Sequence, residues 1–176
     1  MTRLTSRLAR WLRREDGSMT IEFALWMPLF MVILYSTIEI GIITVRHAML
    51  ERGLDMAVRD LRLSTGAPPQ YDDLKAQICD HAAIIPDCTN SLKLEMAPND
   101  MRNWQALPAQ ADCVDRSEEV NPLREWTPGS SNELMLMRAC LKFAPLSPAS
   151  KLGKAMATDA SGDVALIVTS AFVQEP

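Results

Sequence analysis

The feature that most constrains this chain is a long apolar segment close to its N-terminus. Residues 15–45 contain no lysine or arginine. The apolar run from Ile21 to Val45 is long enough for a helix of about 20 residues to cross the hydrocarbon core of a bilayer. It exceeds the apolar core of an ordinary secretory signal, which is roughly 7–15 residues. The segment therefore predicts one transmembrane helix.

The charge on either side of this segment predicts its orientation. Five arginines and no acidic residue lie in residues 1–14, whereas the whole chain has a formal net charge of −4. Positive charge beside a span favours the cytoplasmic side. We therefore expect a single pass through the inner membrane, with the N-terminus in the cytoplasm and the C-terminal part in the periplasm. The basic stretch is either an amphipathic helix on an anionic membrane surface or a plain leader without its own fold.

Helical periodicity continues beyond the apolar run. Leu50, Leu54, Ala57 and Leu61 form an i, i+4, i+7, i+11 stripe, which is typical of a helix with one buried face. A stretch rich in glycine and proline then ends the pattern. These patterns predict a cytoplasmic leader, a transmembrane and stalk helix, a linker and a periplasmic domain, at residues 1–17, 18–63, 64–69 and 70–176.

The C-terminal part is predicted to be a small α+β domain with a short, mainly antiparallel sheet. A helix is expected over residues 71–82, and alternating apolar and polar residues indicate strands over 91–97 and 133–143. Residues 163–173 form a third and strongly apolar strand, which we expect at the centre of the sheet because central strands are buried on both faces.

All four cysteines lie on the C-terminal side of the long helix, at Cys79, Cys88, Cys113 and Cys140. An even number of cysteines in an oxidising compartment indicates two disulfides. Of the three possible connectivities we favour Cys79–Cys88 with Cys113–Cys140. Free buried cysteines are the alternative, and zinc is disfavoured because the sequence lacks a C-x2-C pair and has only two histidines.

No motif in the sequence indicates catalysis or a cofactor. The H-E-x-x-H, G-x-S-x-G and P-loop patterns are absent from the sequence. The excess of acidic residues after the leader argues against binding to nucleic acid. We therefore predict a protein that is not an enzyme and has no metal or cofactor.

Glu22 is the residue that needs a functional explanation, because a carboxylate inside a bilayer costs several kcal/mol. One interpretation is that it lies at the membrane interface without a partner. The other requires cleavage between Gly17 and Ser18, which would place a new α-amine one helical turn from Glu22. The Glu22 carboxylate of one subunit would then neutralise the Ser18 amine of its neighbour. Glu39, at the far end of the span, is expected to be interfacial.

The segment Gly17-Ser18-Met19-Thr20-Ile21-Glu22-Phe23-Ala24-Leu25, with arginines before it and Pro28 after it, resembles the processing site of TadE-like minor pilins, or pseudopilins, of the Tad (Flp-type) pilus system. The resemblance implies that a prepilin peptidase cuts between Gly17 and Ser18. It also implies that the mature subunit joins other pilin and pseudopilin subunits and takes part in the assembly of an adhesion pilus. The alternative is an unprocessed single-pass anchor whose periplasmic domain docks other secretion or pilus components.

Overall fold

The computed structural model describes residues 18–63, 70–114, 126–146 and 162–175. The predicted leader, with Gly17, and the predicted linker over 64–69 lie outside these residues. Three helices and three strands occur in the described ranges. In chain order they are α1 (Ser18–Leu63), α2 (Tyr71–His81), α3 (Cys88–Ser91), β1 (Leu92–Asn99), β2 (Leu134–Phe143) and β3 (Val164–Val173).

The three strands form one antiparallel sheet in the order β1-β2-β3. This confirms the predicted α+β class. The prediction that the third strand is central is wrong, because β2 occupies that position. Burial explains the difference: β2 is buried along nearly all its length, whereas β3 alternates and leaves Ile167 46% and Val173 43% exposed. Some apolar side chains of β3 are thus exposed, which is why its apolar sequence did not place it at the centre of the sheet.

The hydrophobic core lies between one face of the sheet and the C-terminal part of α1. The predicted stripe of Leu50, Leu54, Ala57 and Leu61 is confirmed, since each of these side chains is at most 4% exposed. They form one cluster with side chains from α2 and from alternate positions of all three strands. The core positions of the central strand are Met135, Met137, Ala139, Leu141 and Phe143.

Packing divides the chain into two compact units, Met1–Ile38 and Glu39–Pro176. Within the described residues, the first unit consists of the N-terminal part of α1. The second unit contains the sheet, α2, α3 and the rest of α1. The part of the helix from Glu39 onward therefore belongs to the same compact unit as the sheet, and it joins the hydrophobic core from Leu50 onward.

Helix α2 approaches α1 closely at Gly53, which is buried. A Cβ atom at this position would lie 2.7 Å from the backbone carbonyl oxygen of Ile78 and 3.4 Å from the Cβ of Ala82. The first distance is shorter than any normal contact, so only glycine allows the two helices to pack at this spacing. At Gly41, in the same helix, no atom lies within 4 Å of the place that a Cβ would occupy.

We predict that Gly53→Ala destabilises the domain by about 1–3 kcal/mol, because α2 must move away from α1 to admit the methyl group. Gly41→Ala is the matched control, since it adds the same group to the same helix in open space. It should be neutral or stabilise by roughly 0.5–1 kcal/mol through reduced backbone entropy. Thermal unfolding of the detergent-solubilised chain, followed by near-ultraviolet circular dichroism, measures both effects. Equal melting temperatures for the two variants would contradict the close contact.

Candidate functional site

The N-terminal part of α1 exposes large apolar side chains around its circumference. Ile21, Phe23 and Leu25 are 64%, 64% and 73% exposed, and further apolar residues along this part are similarly exposed. Among the described helices, α1 is the one that is long and apolar enough to cross a membrane, judged by length and composition. An exposed apolar surface of this extent is typical of a segment that meets lipid or a partner protein.

Two hydroxyl groups within this part of α1 bond to the preceding turn of the helix. Ser36 donates a hydrogen bond to the Val32 carbonyl oxygen at 2.8 Å, and Thr37 donates to that of Ile33 at 2.9 Å. Side chains of this kind can be buried in hydrocarbon, since their polar groups already have a partner on the preceding turn.

Glu22 is the acidic residue within this part of α1. It lies on α1 and its side chain is exposed. In the part of the chain that the structure describes, its carboxylate contacts no cation and accepts no hydrogen bond. It lies four residues after Ser18, hence on the same side of the helix and one turn away. Gly17 falls outside the described residues, so cleavage between Gly17 and Ser18 stays a prediction.

Glu39 is enclosed by protein, since its surface is only 1% exposed. Its expected position at the membrane interface stays a prediction, because burial within the protein does not fix the depth of a residue in a membrane. Glu39 lines a cavity of about 220 Å³ together with Ile43 and Arg46. The Arg46 guanidinium lies 4.6 Å from the centre of the Phe143 ring, a cation–π contact that connects α1 to the end of β2.

The structure joins Cys79 to Cys88 and Cys113 to Cys140, the pairs that the sequence analysis favoured. The Cα atoms of the pairs are 5.7 and 5.2 Å apart, within the usual range for a disulfide. The first bond connects α2 to α3 across a short turn. The second connects a loop to the middle of the central strand, and no described cysteine is free.

The second disulfide lies among charged side chains on the sheet face that points away from the helices. Lys93 and Asp112 form an ion pair at 2.8 Å, with side chains that are only 5% and 7% exposed. Arg138 pairs with the buried Glu95 and donates a second hydrogen bond to the Pro108 carbonyl oxygen at 2.7 Å. These contacts hold the loop over residues 105–114 against the sheet.

Strand register explains why the charges meet. Glu95 lies directly opposite Arg138, and Lys93 lies opposite Cys140. Because Cys113 is bonded to Cys140, its neighbour Asp112 is brought to Lys93 on the adjacent strand. This cluster was not predicted from the sequence, since alternating Lys93 and Glu95 usually mark a solvated face. The signal that could have revealed it is Arg138, a charged residue in the middle of a mostly apolar strand.

A second polar contact connects α2 to the sheet. The Tyr71 hydroxyl accepts a hydrogen bond from the Leu94 backbone N–H at 3.2 Å, and its ring meets that of Trp126 edge-on, with centroids 5.0 Å apart. Burial raises the pKa of the Tyr71 hydroxyl above its ordinary value. Burial also lowers the pKa of the neighbouring Lys75 ammonium, whose nitrogen lies 5.8 Å from the centre of the Tyr71 ring.

Comparison with known proteins finds one similarity, in the N-terminal part of the chain. Residues 17–59 match the family model described as TadE-like protein. The match confirms the resemblance to TadE-like proteins that the sequence indicated, and it covers most of α1. This family is linked to Tad pilus systems and is not known for enzymatic activity. Neither the curated proteins nor the solved structures provide a match.

We predict that Lys93→Met destabilises the domain by roughly 3–5 kcal/mol, because it leaves the Asp112 carboxylate buried without this cation. The double variant Lys93→Met/Asp112→Leu should recover most of that loss, since neither charge then remains. Chemical unfolding followed by tryptophan fluorescence measures the series.

The control for this series is the pair Arg62–Glu175, at 3.4 Å with both side chains 50% exposed. Arg62→Met should change stability by about 0–1 kcal/mol, as is usual for exposed ion pairs. If the Lys93 single and double variants unfold alike, the buried pair is not coupled as described.

Proposed function

We propose that this chain is a minor pilin, or pseudopilin, that a prepilin peptidase processes and that takes part in assembling a Tad (Flp-type) adhesion pilus. The single observation that carries the proposal is the TadE-like match over residues 17–59. This segment contains the predicted cleavage point, Glu22 and the apolar surface of α1. The mature protein would be anchored in the inner membrane, with its α+β domain in the periplasm.

The position of Glu22 supports processing rather than a plain anchor. An unprocessed chain gains nothing from a carboxylate in its span, and the charge is costly there. Cleavage before Ser18 would create a cation at the start of the helix. In a bundle of subunits that cation and the Glu22 carboxylate of a neighbour would offset each other and fix the axial register between helices.

The folded domain supports the proposed compartment. Two disulfides are expected in a periplasmic domain and are uncommon in a cytoplasmic one. The domain also has its own core, so it can present a surface to other subunits while α1 holds it at the membrane. Partners of this kind are the peptidase and the other pilin and pseudopilin subunits.

A second candidate function rests on the same domain. As an unprocessed single-pass anchor, the chain would keep its leader and dock secretion or pilus components through the domain. The exposed edge strand β3 favours this possibility, because its partly exposed face offers apolar surface to a partner. The two functions differ in one covalent property, the presence of residues 1–17 in the mature protein.

We predict that cells with the cognate peptidase contain a mature form that begins at Ser18. Intact mass spectrometry of the protein extracted from membranes measures this directly. Gly17→Leu should accumulate the full-length chain, because a bulky side chain does not fit a peptidase site shaped for glycine. A mature form that begins at Met1 or Thr2 would reject processing and favour the unprocessed anchor.

We also predict that Glu22→Ala is inserted and cleaved but fails to enter the pilus system. Insertion becomes easier without the charge. Association should fall about a hundredfold or more, because a neighbour's buried amine is left unpaired at a cost of roughly 3–5 kcal/mol. Glu22→Asp should be intermediate, since its shorter side chain reaches less far. Pilus formation and co-purification with other pilus components are the measurements.

Glu51→Ala is the matched control for this experiment. Glu51 lies on the same helix, is exposed, and lies 3.6 Å from His47 in an i, i+4 pair. Its removal should leave pilus formation unchanged. Normal pilus formation by Glu22→Ala, expressed as the only copy in a strain that depends on this protein, would show that Glu22 is an interfacial residue without a role in assembly.

A further inference from the structure

The folded domain covers one side of α1 before the apolar run of the helix has ended. The cavity of about 220 Å³ beside Glu39 is lined on the helix side by Glu39, Ile42, Ile43 and Arg46. Their i, i+3, i+4, i+7 spacing places them on one face of the helix. The remaining lining residues are 143–146, where the chain leaves β2. The first contact between the domain and α1 therefore lies within the run that ends at Val45.

The opposite side of α1 at the same level is apolar and exposed. Ile40 and Val45 are 48% and 47% exposed, and both lie away from the covered face by helical spacing. Residues 15–45 contain no lysine or arginine, and Arg46 is the first basic residue after them. One side of the helix thus meets protein at a level where the other side is suited to lipid.

The length of the apolar run indicates the depth of this level in a bilayer. At 1.5 Å per residue, a helix from Ile21 to Val45 is about 37 Å long. This exceeds the hydrocarbon core of about 30 Å, but it fits within the roughly 40–45 Å of a bilayer with its headgroups. The last residues of the run are therefore expected among headgroups. Arg46 follows at the depth where long cationic side chains extend to phosphate groups.

The part of the domain at this level is a short uncharged segment, residues 143–146, with the sequence Phe-Ala-Pro-Leu. Phe143 and Pro145 are buried, and the Arg46 guanidinium lies over the Phe143 ring. Ala144 is exposed, and so is Leu146, by 54%. An exposed leucine is ordinary on a protein surface. This one lines a cavity together with a residue of the apolar run, which places it near the expected membrane surface.

We propose that the domain lies directly on the membrane, with Ala144 and Leu146 among phospholipid headgroups and Arg46 beside their phosphates. This inference depends on the membrane anchoring in the proposed function and adds the surface that contacts lipid. It leaves no free length of α1 between the span and the domain. It also accounts for the protein cover over Glu39, because a carboxylate at this depth is costly when it faces lipid.

The test uses the full-length chain in nanodiscs of phosphatidylethanolamine and phosphatidylglycerol. The photoreactive amino acid p-benzoylphenylalanine replaces Leu146, whose exposure allows a larger side chain. After illumination, mass spectrometry should find phospholipid bound to this position at least fivefold more often than to a control position. The control is the same replacement at Met101, an apolar residue that is 79% exposed.

Met101 is a matched control because it lies at the opposite end of the sheet from Phe143. It follows the end of β1, which pairs with the start of β2, and a strand of ten residues spans about 30 Å. The Arg62–Glu175 ion pair joins α1 to the chain just after β3 at this same end. Because Arg46 contacts the other end, the sheet follows the helix axis, and Met101 lies far from the proposed membrane surface.

A second measurement needs no substitution. Nanodiscs that contain a lipid with a gadolinium chelate on its headgroup should broaden the methyl resonances of Leu146 more than that of Met101. Equal lipid labelling at the two positions, or cross-links from position 146 to protein alone, would overturn the proposal. A chain that does not enter nanodiscs would reject both membrane anchoring and this inference. A chain that enters them without lipid contact at position 146 would reject this inference alone, since neither measurement requires cleavage or a pilus.

Discussion

The packing of α1 against the sheet is the interaction on which the rest of this structure depends. Three strands have two faces to cover, and an isolated sheet of this size buries too little apolar surface to be stable. The stripe that includes Leu50, Leu54 and Ala57 supplies the missing layer. The same helix carries the exposed apolar surface that precedes Glu39, so the element that is long and apolar enough to span a membrane also completes the core of the domain.

The other face of the sheet is covered in a different way. A loop over residues 105–114 lies on it, held by Cys113–Cys140 and by the ion pairs of Lys93 and Arg138. A buried charge loses its hydration, and this costs free energy. Buried charges therefore stabilise such a contact only when each one is paired with an opposite charge. The disulfide helps to meet this condition by restricting where Asp112 can lie. A domain with a modest core gains from such a covalent restraint.

Local patterns predicted the long helix, the helix after the linker and the three strands, because each is encoded within a few turns or residues of chain. The favoured cysteine pairs were also found, whereas the short helix α3 was not predicted. The order of strands was not predictable in this way. The apolar run of β3 suggested a central strand, yet β2 holds that place while carrying Arg138, since Glu95 and backbone carbonyls neutralise and solvate the guanidinium. The burial of Glu39 likewise depends on contacts distant in sequence.

The close contact at Gly53 has a mechanical consequence. The backbone of α2 abuts α1 there without an intervening side chain, and the stripe of α1 packs in one hydrophobic cluster with the sheet. Force applied along the axis of residues 39–63 would therefore load many side-chain contacts at once, in shear. Such a load is resisted by all the contacts together rather than one after another. Any tension transmitted along this helix would therefore displace the whole domain together with the helix, and would not detach the helix from the sheet turn by turn.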